Sequence, residues 1–416
     1  MGSTFDITQA TQVLKVKYSP KKVKANAYED QPFFAMVPKD TKAGGLNYTQ
    51  AINIGTSQTR NVSFGGAVAS SANAGGASRY KQFVCQYFED FATANFSGRA
   101  LDAAKGDANA FVDVLTSETD NALLSLSRSI GISLYRNGGG ARGQILSGQG
   151  TPTIVLVNPQ DITNFEVDMP VRTSATDGTS GAVKAGVAFV VGVDRDLGAI
   201  TVSATLGGAA ANWTTPIATA AASDFIFADG DFGAVTPGLA GWVPPTAPTA
   251  TLFNGVDRTA DVTRLGGIRY NGNGGPFEET LIEAAARAGR ESAKPDACFM
   301  NPLNFSTLVK ALSGKVMYER MGNSSDEPTI GFSGVKLVGP KGPISVYSDV
   351  NCPIGTAFML TMSTWTLVSM GDAPKWLDVD GQRILRVSGA DAYEARLGSR
   401  HALICSAPGK NVNITL

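Results

Sequence analysis

A single histidine, His401, occurs among the 416 residues. One imidazole excludes a metal site built from several histidines. Its place in the apolar run "SRHALICSA" gives it a structural reading. Charge is scarce: 17% of residues are Asp, Glu, Lys or Arg, and the formal net charge is -1. No global field therefore draws the chain to nucleic acid or to an anionic membrane. The four cysteines, Cys85, Cys298, Cys352 and Cys405, form no CxxC pair. Three lie in apolar, strand-like runs and read as buried, reduced thiols. No run of about 18 uninterrupted apolar residues occurs, so no membrane span is expected. No apolar segment follows a basic n-region near residue 1, so the expectation is a soluble product made in the cytoplasm, without a secretory signal.

Catalytic motifs are missing as well. There is no G-x-S-x-G nucleophile elbow and no Walker A loop. Gly138 to Gly143 matches G-x-G-x-x-G in form, but it follows a helical pattern instead of a strand, so it reads as a helix stop and loop. "DGD" (229–231) and "DVDGQR" (378–383) lack EF-hand spacing and read as turns. Glu278 and Glu279 are paired acids, explained by their place at a helix start. The sequence nominates no catalytic residue, no cofactor-binding residue and no metal ligand, and the expectation is that the chain is not an enzyme.

What is present points to shape. Glycine is abundant at 47 residues, and 43% of the chain is hydrophobic, which suggests a β-rich protein with many turns and a sizeable core. Residues 1–40 read as an extended arm, with Lys15, Lys17, Lys21, Lys22 and Lys24 clustered and Pro20, Pro32 and Pro38 opposing helix. Residues 41–97 hold two β-like stretches, "LNYTQAINIG" and "YKQFVCQYFEDFATANFSG". Between them, "GGAVASSANAGGAS" (65–78) has no periodicity and no large side chain, so it reads as a flexible hairpin end without a core of its own.

The clearest helix is expected over 107–136. Ala108, Phe111, Leu115, Ala122, Leu126, Ile130 and Leu134 recur at helical spacing, and "NGGG" ends it. Phe111, Leu115 and Leu126 are expected to face a sheet. Residues 151–235 carry short strands and little charge and read as a small inserted β-barrel. A Pro-rich linker is expected over 236–253. Residues 254–370 alternate helices and strands. Within them, "DACFMNPLNFSTLVKAL" (296–312) is a short strand delivering Asn301 and Pro302 to a helix start. Asn301 suits the cap and Pro302 the first turn. No base, nucleophile or metal ligand lies in that segment. It holds shape, not chemistry. Residues 371–416 finish with β-like runs.

The order of parts resembles the major capsid proteins of tailed bacteriophages with the Hong Kong 97 fold. The resemblance rests on "DQPFFAMVPKD", the hairpin up to "FSGRALDAA", "LFNGVDRTADVTRLGGIRY", "FEETLIEAAARAGRESAKPDACFMNPLNFSTLVKAL" and "GPISVYSDVNCPIGTAFML". It implies an α+β, HK97-like chain with an N-terminal arm (1–40), an E-loop and its base (41–97), and a P domain with a long spine helix (98–150). It further implies the inserted barrel (151–235), a linker (236–253), an A domain (254–370) and a C-terminal return to the P domain (371–416). The implied function is a structural virion protein, assembled in a host bacterial cytoplasm as hexamers and pentamers into an icosahedral shell around double-stranded DNA. No long helical segment precedes the arm, which favours a separate scaffolding protein; a portal and a decoration protein are further implied partners. Contact with packaged DNA is expected to be weak, with Lys15 to Lys24 the only dense basic run. Lys42 and Lys81 suit the lysine role of the family's covalent crosslinking, though nothing singles them out and crosslinking is not expected. The alternatives from other classes are a tail or fibre component and a β-rich hydrolase using carboxylates.

Overall fold

A computed structural model describes residues 31–74, 77–99, 114–312, 335–377, 384–387 and 389–416. The arm's lysine cluster, the expected helix start at 107–113, the side chains of Phe111 and Leu115, and "DVDGQR" lie outside the described residues.

The chain opens with a short helix, α1 (Pro32–Met36), and a two-residue strand, β1 (Lys39–Asp40). β2 (Asn47–Gly55) and β3 (Arg79–Gln86) pair antiparallel from Asn47↔Gln86 to Gly55↔Arg79. Between them stands α2 (Phe64–Ala74). This corrects the expectation of a structureless tip. Asn61 and Ser63 start the helix, with Ser63 Oγ accepting from the Gly66 amide at 3.1 Å. The alanines that follow carry the best helix propensity of any residue. We call β2, α2 and β3 the finger.

β4 (Phe88–Ser97) follows, then the long helix α3 (Val114–Tyr135). Leu126, Ile130, Ile132, Leu134 and Tyr135 are buried, and the helix packs across β4 and a later strand of the same sheet. Leu126 therefore faces the sheet as its spacing predicts.

The next six strands close a barrel: β5 (Ala141–Ser147), β6 (Thr153–Leu156), β7 (Pro170–Ser174), β8 (Ala188–Asp194), β9 (Ala199–Ser203) and β10 (Phe225–Ala228). The closure order is β10-β5-β6-β9-β8-β7. β5 lies ahead of residue 151, where the sequence places the barrel's start. Its Ile145 belongs to the barrel core with Ile154, Phe165, Val190 and Trp213, and closure needs its hydrogen bonds to both β6 and β10. Arriving and departing chain meet at a neck: Gly233 N donates to Gly139 O at 2.9 Å and Gly238 N to Arg136 O at 2.9 Å. Gly140 sits there at φ 89°, and a Cβ on it would lie 2.2 Å from Asp231 O, so no other residue fits.

The expected linker is not a spacer. Its residues 239–242 form a helical turn, α4 (Leu239–Trp242), whose Leu239 and Trp242 are fully buried in the main core. Phe83 of the finger's base packs on Trp242 (ring centroids 5.1 Å apart) and Phe253 (6.2 Å). Buried Arg258 lies over the Phe253 ring and donates to the Gly241 and Trp242 carbonyls. Prolines punctuate the segment, but one buried tryptophan decides its role.

The remaining chain builds two sheets. β11 (Ile268–Asn271), α5 (Phe277–Arg290), β12 (Ala297–Met300), α6 (Pro302–Leu312), β13 (Val335–Gly339), β14 (Gly342–Ser348) and β15 (Thr356–Leu360) form one layer. β16 (Trp365–Ser369), β17 (Lys375–Trp376), β18 (Ile384–Arg386) and the long β19 (Ala392–Cys405) join β1 and β4 in the other, and β20 (Val412–Thr415) returns to the first layer between β11 and β15. Two expected boundaries therefore shift. β16 precedes residue 370 yet belongs to the sheet under α3, and β20 follows 371 yet belongs to the other. The chain crosses between sheets at buried Asn411. Its Oδ1 accepts from Thr361 N (2.9 Å) and Trp365 Nε1 (2.9 Å), and its Nδ2 donates to Thr364 Oγ1 (3.1 Å). One amide thus bonds both connections between the sheets, 361–364 and 406–411.

Candidate assembly surface

The residues with potential chemistry are placed as structure. His401 is 3% exposed in the middle of β19, paired in register with Ser369 and Phe88. Its Nδ1 and Ser399 Oγ are 2.8 Å apart. Burial pushes its pKa down from 6.5 to about 4. The folded chain thus keeps a neutral ring while the unfolded chain takes up a proton below about pH 6.5. Stability from this group is complete above pH 6.5, falls as pH drops towards 4, and levels off below that. The loss is about 3 kcal/mol, at about 1.4 kcal/mol per pH unit. Half-buried Asp90, whose pKa burial raises, contributes with the opposite sign. The difference between wild type and His401→Asn isolates the histidine. Denaturant titrations at pH 7 and pH 4 are expected to show the wild type losing about 3 kcal/mol more than the variant.

All four cysteines are buried and free. Burial pushes the Cys85, Cys298 and Cys405 thiols up to about 12, and Cys352 up as well, which leaves them unreactive near neutral pH. Among the described residues no group of three or more His, Cys, Asp or Glu side chains could hold a metal ion. No described helix is long and apolar enough to cross a membrane. Glu278 and Glu279 occupy the first turn of α5. Asp231 pairs with Arg142, and Asp229 with Arg172. Asn301 Oδ1 accepts from Leu303 N at 3.0 Å, and its Nδ2 donates to the Cys352 carbonyl at 3.0 Å, while Pro302 is the first residue of α6. The strand-to-helix junction is a cap. Lys42 and Lys81 are both exposed.

The surface is unusual at the finger. Val62 is 95% exposed, Phe64 88% and Leu46 88%, with Val68, Tyr80 and Val84 also exposed. Single exposed apolar residues are ordinary, but a cluster along one projecting element marks an interaction surface. The two strands of the finger are anchored, by Ile52, Ile54, Phe83 and Cys85 at the main core, by Val84 N donating to Asn254 O at 2.9 Å and by Arg264 Nη1 donating to Ile54 O at 3.3 Å. Among the described residues, helix α2 and its approaches have no apolar core to pack on, and a lone hairpin is at best marginally stable.

Where the arm joins the body, by contrast, everything is fastened. Phe33 is fully buried against Tyr135 (5.5 Å between centroids), Phe299 (5.3 Å) and Trp365 (6.5 Å). Buried Asp349 accepts from Phe33 N (3.2 Å), from Tyr135 Oη (2.8 Å) and from Asn351 N (2.9 Å). Burial first, and Asp349 second, hold the Tyr135 hydroxyl well above its usual pKa, so it stays a donor. One carboxylate therefore ties the arm's root, the long helix and the β14–β15 connection together. β1 then adds to the edge of the sheet, parallel to β16. The sequence reading did not single out Phe33, Asp349 or Ser63. Asp349, two residues ahead of "NCP" and the one charged residue between Pro343 and Phe358, was the available signal.

No protein-family model matches the sequence. No curated protein matches it either. Solved structures do match along the whole length. A chain of the Cyanophage A-1(L) capsid asymmetric unit superposes with a TM-score of 0.54 at 12% identity, covering 96% of each chain. A chain from the capsid of a native GTA particle, computed with C5 symmetry, superposes with a TM-score of 0.50 at 9% identity, covering 100% of this chain and 99% of that one. The chain has the fold of these capsid chains, the Hong Kong 97 fold expected from its sequence.

Proposed function

We propose that this chain is a major capsid protein, the repeating unit of a closed shell around the double-stranded DNA of a tailed phage. The observation that carries the reading is the finger: an apolar, projecting element that the rest of the described residues leave exposed. In a solitary subunit that surface is a liability; in a lattice a neighbouring copy covers it. The full-length likeness to capsid chains supports the same reading. Hexamers and pentamers of the chain would form the shell in the host cytoplasm, with a separate scaffolding protein and a portal as partners. Contact with packaged DNA would be weak, because a net charge of -1 offers few phosphate contacts.

Sedimentation and negative-stain imaging of the purified protein test this, with a scaffolding protein co-expressed if needed. The expected result is closed particles of megadalton mass. A variant joining Gly55 to Arg79 by an Asn-Gly turn, in place of residues 56–78, suits the observed register and should fold. It is expected to remain as subunits or small capsomers. Normal shells from that variant, or wild-type protein that forms only small oligomers, would overturn the reading.

A further inference from the structure

The finger and the barrel carry opposite charge. Across the finger, residues 47–86, the sequence has Arg60, Arg79 and Lys81 and no aspartate or glutamate. Residues 141–235 hold nine acidic residues against four basic ones. Several barrel carboxylates are neutralised within the chain: Asp161 by Arg136, Asp224 by Lys184, Asp229 by Arg172 and Asp231 by Arg142. Asp168, Asp194 and Asp196 are exposed and form no ion pair among the described residues. They sit together, because Glu166 reaches Arg195 at 3.1 Å and so draws the 166–168 loop to the β8–β9 turn. Beside them lie Val167, 54% exposed, and Leu197, 68% exposed. Val157, 40% exposed, is adjacent, since Leu156 N donates to Gly198 O at 3.0 Å. That end of the barrel is both acidic and apolar.

The finger is its complement. Arg60 and Arg79 are exposed without an ion pair among the described residues, next to exposed Val62, Phe64 and Tyr80. Lys81 already lies near Asp257 of its own chain. We infer that the finger of one copy docks on the barrel end of a second copy, with Arg60 and Arg79 meeting Asp168, Asp194 and Asp196 while Phe64 and Tyr80 cover Val167 and Leu197. The inference rests on the capsid reading, which supplies the adjacent copies. Exposed ion pairs add little affinity each. Apolar cover supplies the attraction, and the opposed charges fix orientation and reject a finger-to-finger contact. Repetition over a shell multiplies a weak contact into a stable one.

Charge reversal tests this. Arg60→Glu with Arg79→Glu, and separately Asp194→Arg with Asp196→Arg, are each expected to cut the yield of assembled particles about tenfold or more at roughly physiological salt, since like-charge juxtaposition is costly. All four substitutions together are expected to restore the yield to within about twofold, because the attraction is rebuilt with its signs exchanged. Because the native cysteines are buried, engineered surface thiols can be read separately on an otherwise native chain. Val62→Cys or Tyr80→Cys, combined with Val167→Cys or Leu197→Cys, should give chain-to-chain disulfide ladders under mild oxidation in particles and not in free subunits. Unchanged yield from both reversed pairs, no recovery in the combination, or no ladder from any of the four thiol pairs would overturn the docking while leaving the capsid reading intact. Wild-type protein that forms no particles would overturn both.

Discussion

Replacing Phe33 by alanine is expected to destabilise the subunit by about 3–5 kcal/mol, the range for emptying a fully buried phenylalanine site. The ring is 0% exposed and in contact with three aromatic neighbours that come from α3, β12 and β16. Those elements belong to different layers, so the void cannot be closed by moving one side chain. A second readout separates this role from general packing. Phe33 is where the arm meets the body, so limited proteolysis should cut the variant faster near residue 31 than it cuts an equally destabilised barrel variant, such as Ile154→Ala. A shift in the unfolding midpoint equivalent to less than about 1 kcal/mol would mean that the pocket collapses around the lost ring.

Asp349→Ala is expected to cost a comparable amount, about 3–5 kcal/mol, because a buried donor left without a partner costs roughly 1–3 kcal/mol. Phe33 N, Tyr135 Oη and Asn351 N are among the donors that converge on this carboxylate. Asp349→Asn keeps one acceptor oxygen and should lose less. Tyr135→Phe removes a donor and so relieves one of the unmet demands. In the Asp349→Ala background it should therefore cost less than it does alone. Chemical denaturation of the four proteins gives the coupling directly, and strict additivity would show that Tyr135 and Asp349 do not depend on each other. Phe33 and Asp349 touch the same junction, so their losses should not sum either.

What the sequence revealed and what it hid follow from the range of the forces involved. The long helix is legible because Leu126, Ile130 and Leu134 recur at a spacing that geometry alone produces. Asn301-Pro302 is legible because a cap is a local event: donor and acceptor are two residues apart. The finger's helix was missed because "GGAVASSANAGGAS" lacks periodicity. A helix that meets no core among the described residues has no reason to be amphipathic, and Asn61 and Ser63 were the local signs of its start. The linker was misjudged for a different reason. Its prolines argue locally for an extended spacer, while Trp242 is held by Phe83 and Phe253 and donates its Nε1 to Leu403 O at 2.8 Å, across 161 residues of sequence. The crossing at Asn411 and the carboxylate of Asp349 are likewise long-range. As for the finger's surface, its apolar residues were in plain view, but only the fold shows that Val62, Phe64 and Tyr80 stand exposed among the described residues.

The neck of the barrel has a bearing on descent. Because the two strands of chain meet within a single hydrogen bond at Gly139 and Gly233, and again at Arg136 and Gly238, the ends of the surrounding fold stand side by side whether or not anything is spliced between them. Such a site behaves like a socket. A gene can gain, lose or trade the module there without asking the host sheets to move, while the small residues at the rim, Gly139 and Gly140, are fitted to the present module, whose Asp177 O and Asp231 O a Cβ on them would strike. Lineages sharing this fold would then be free to diverge fastest in the barrel, while the sheets beneath it drift slowly.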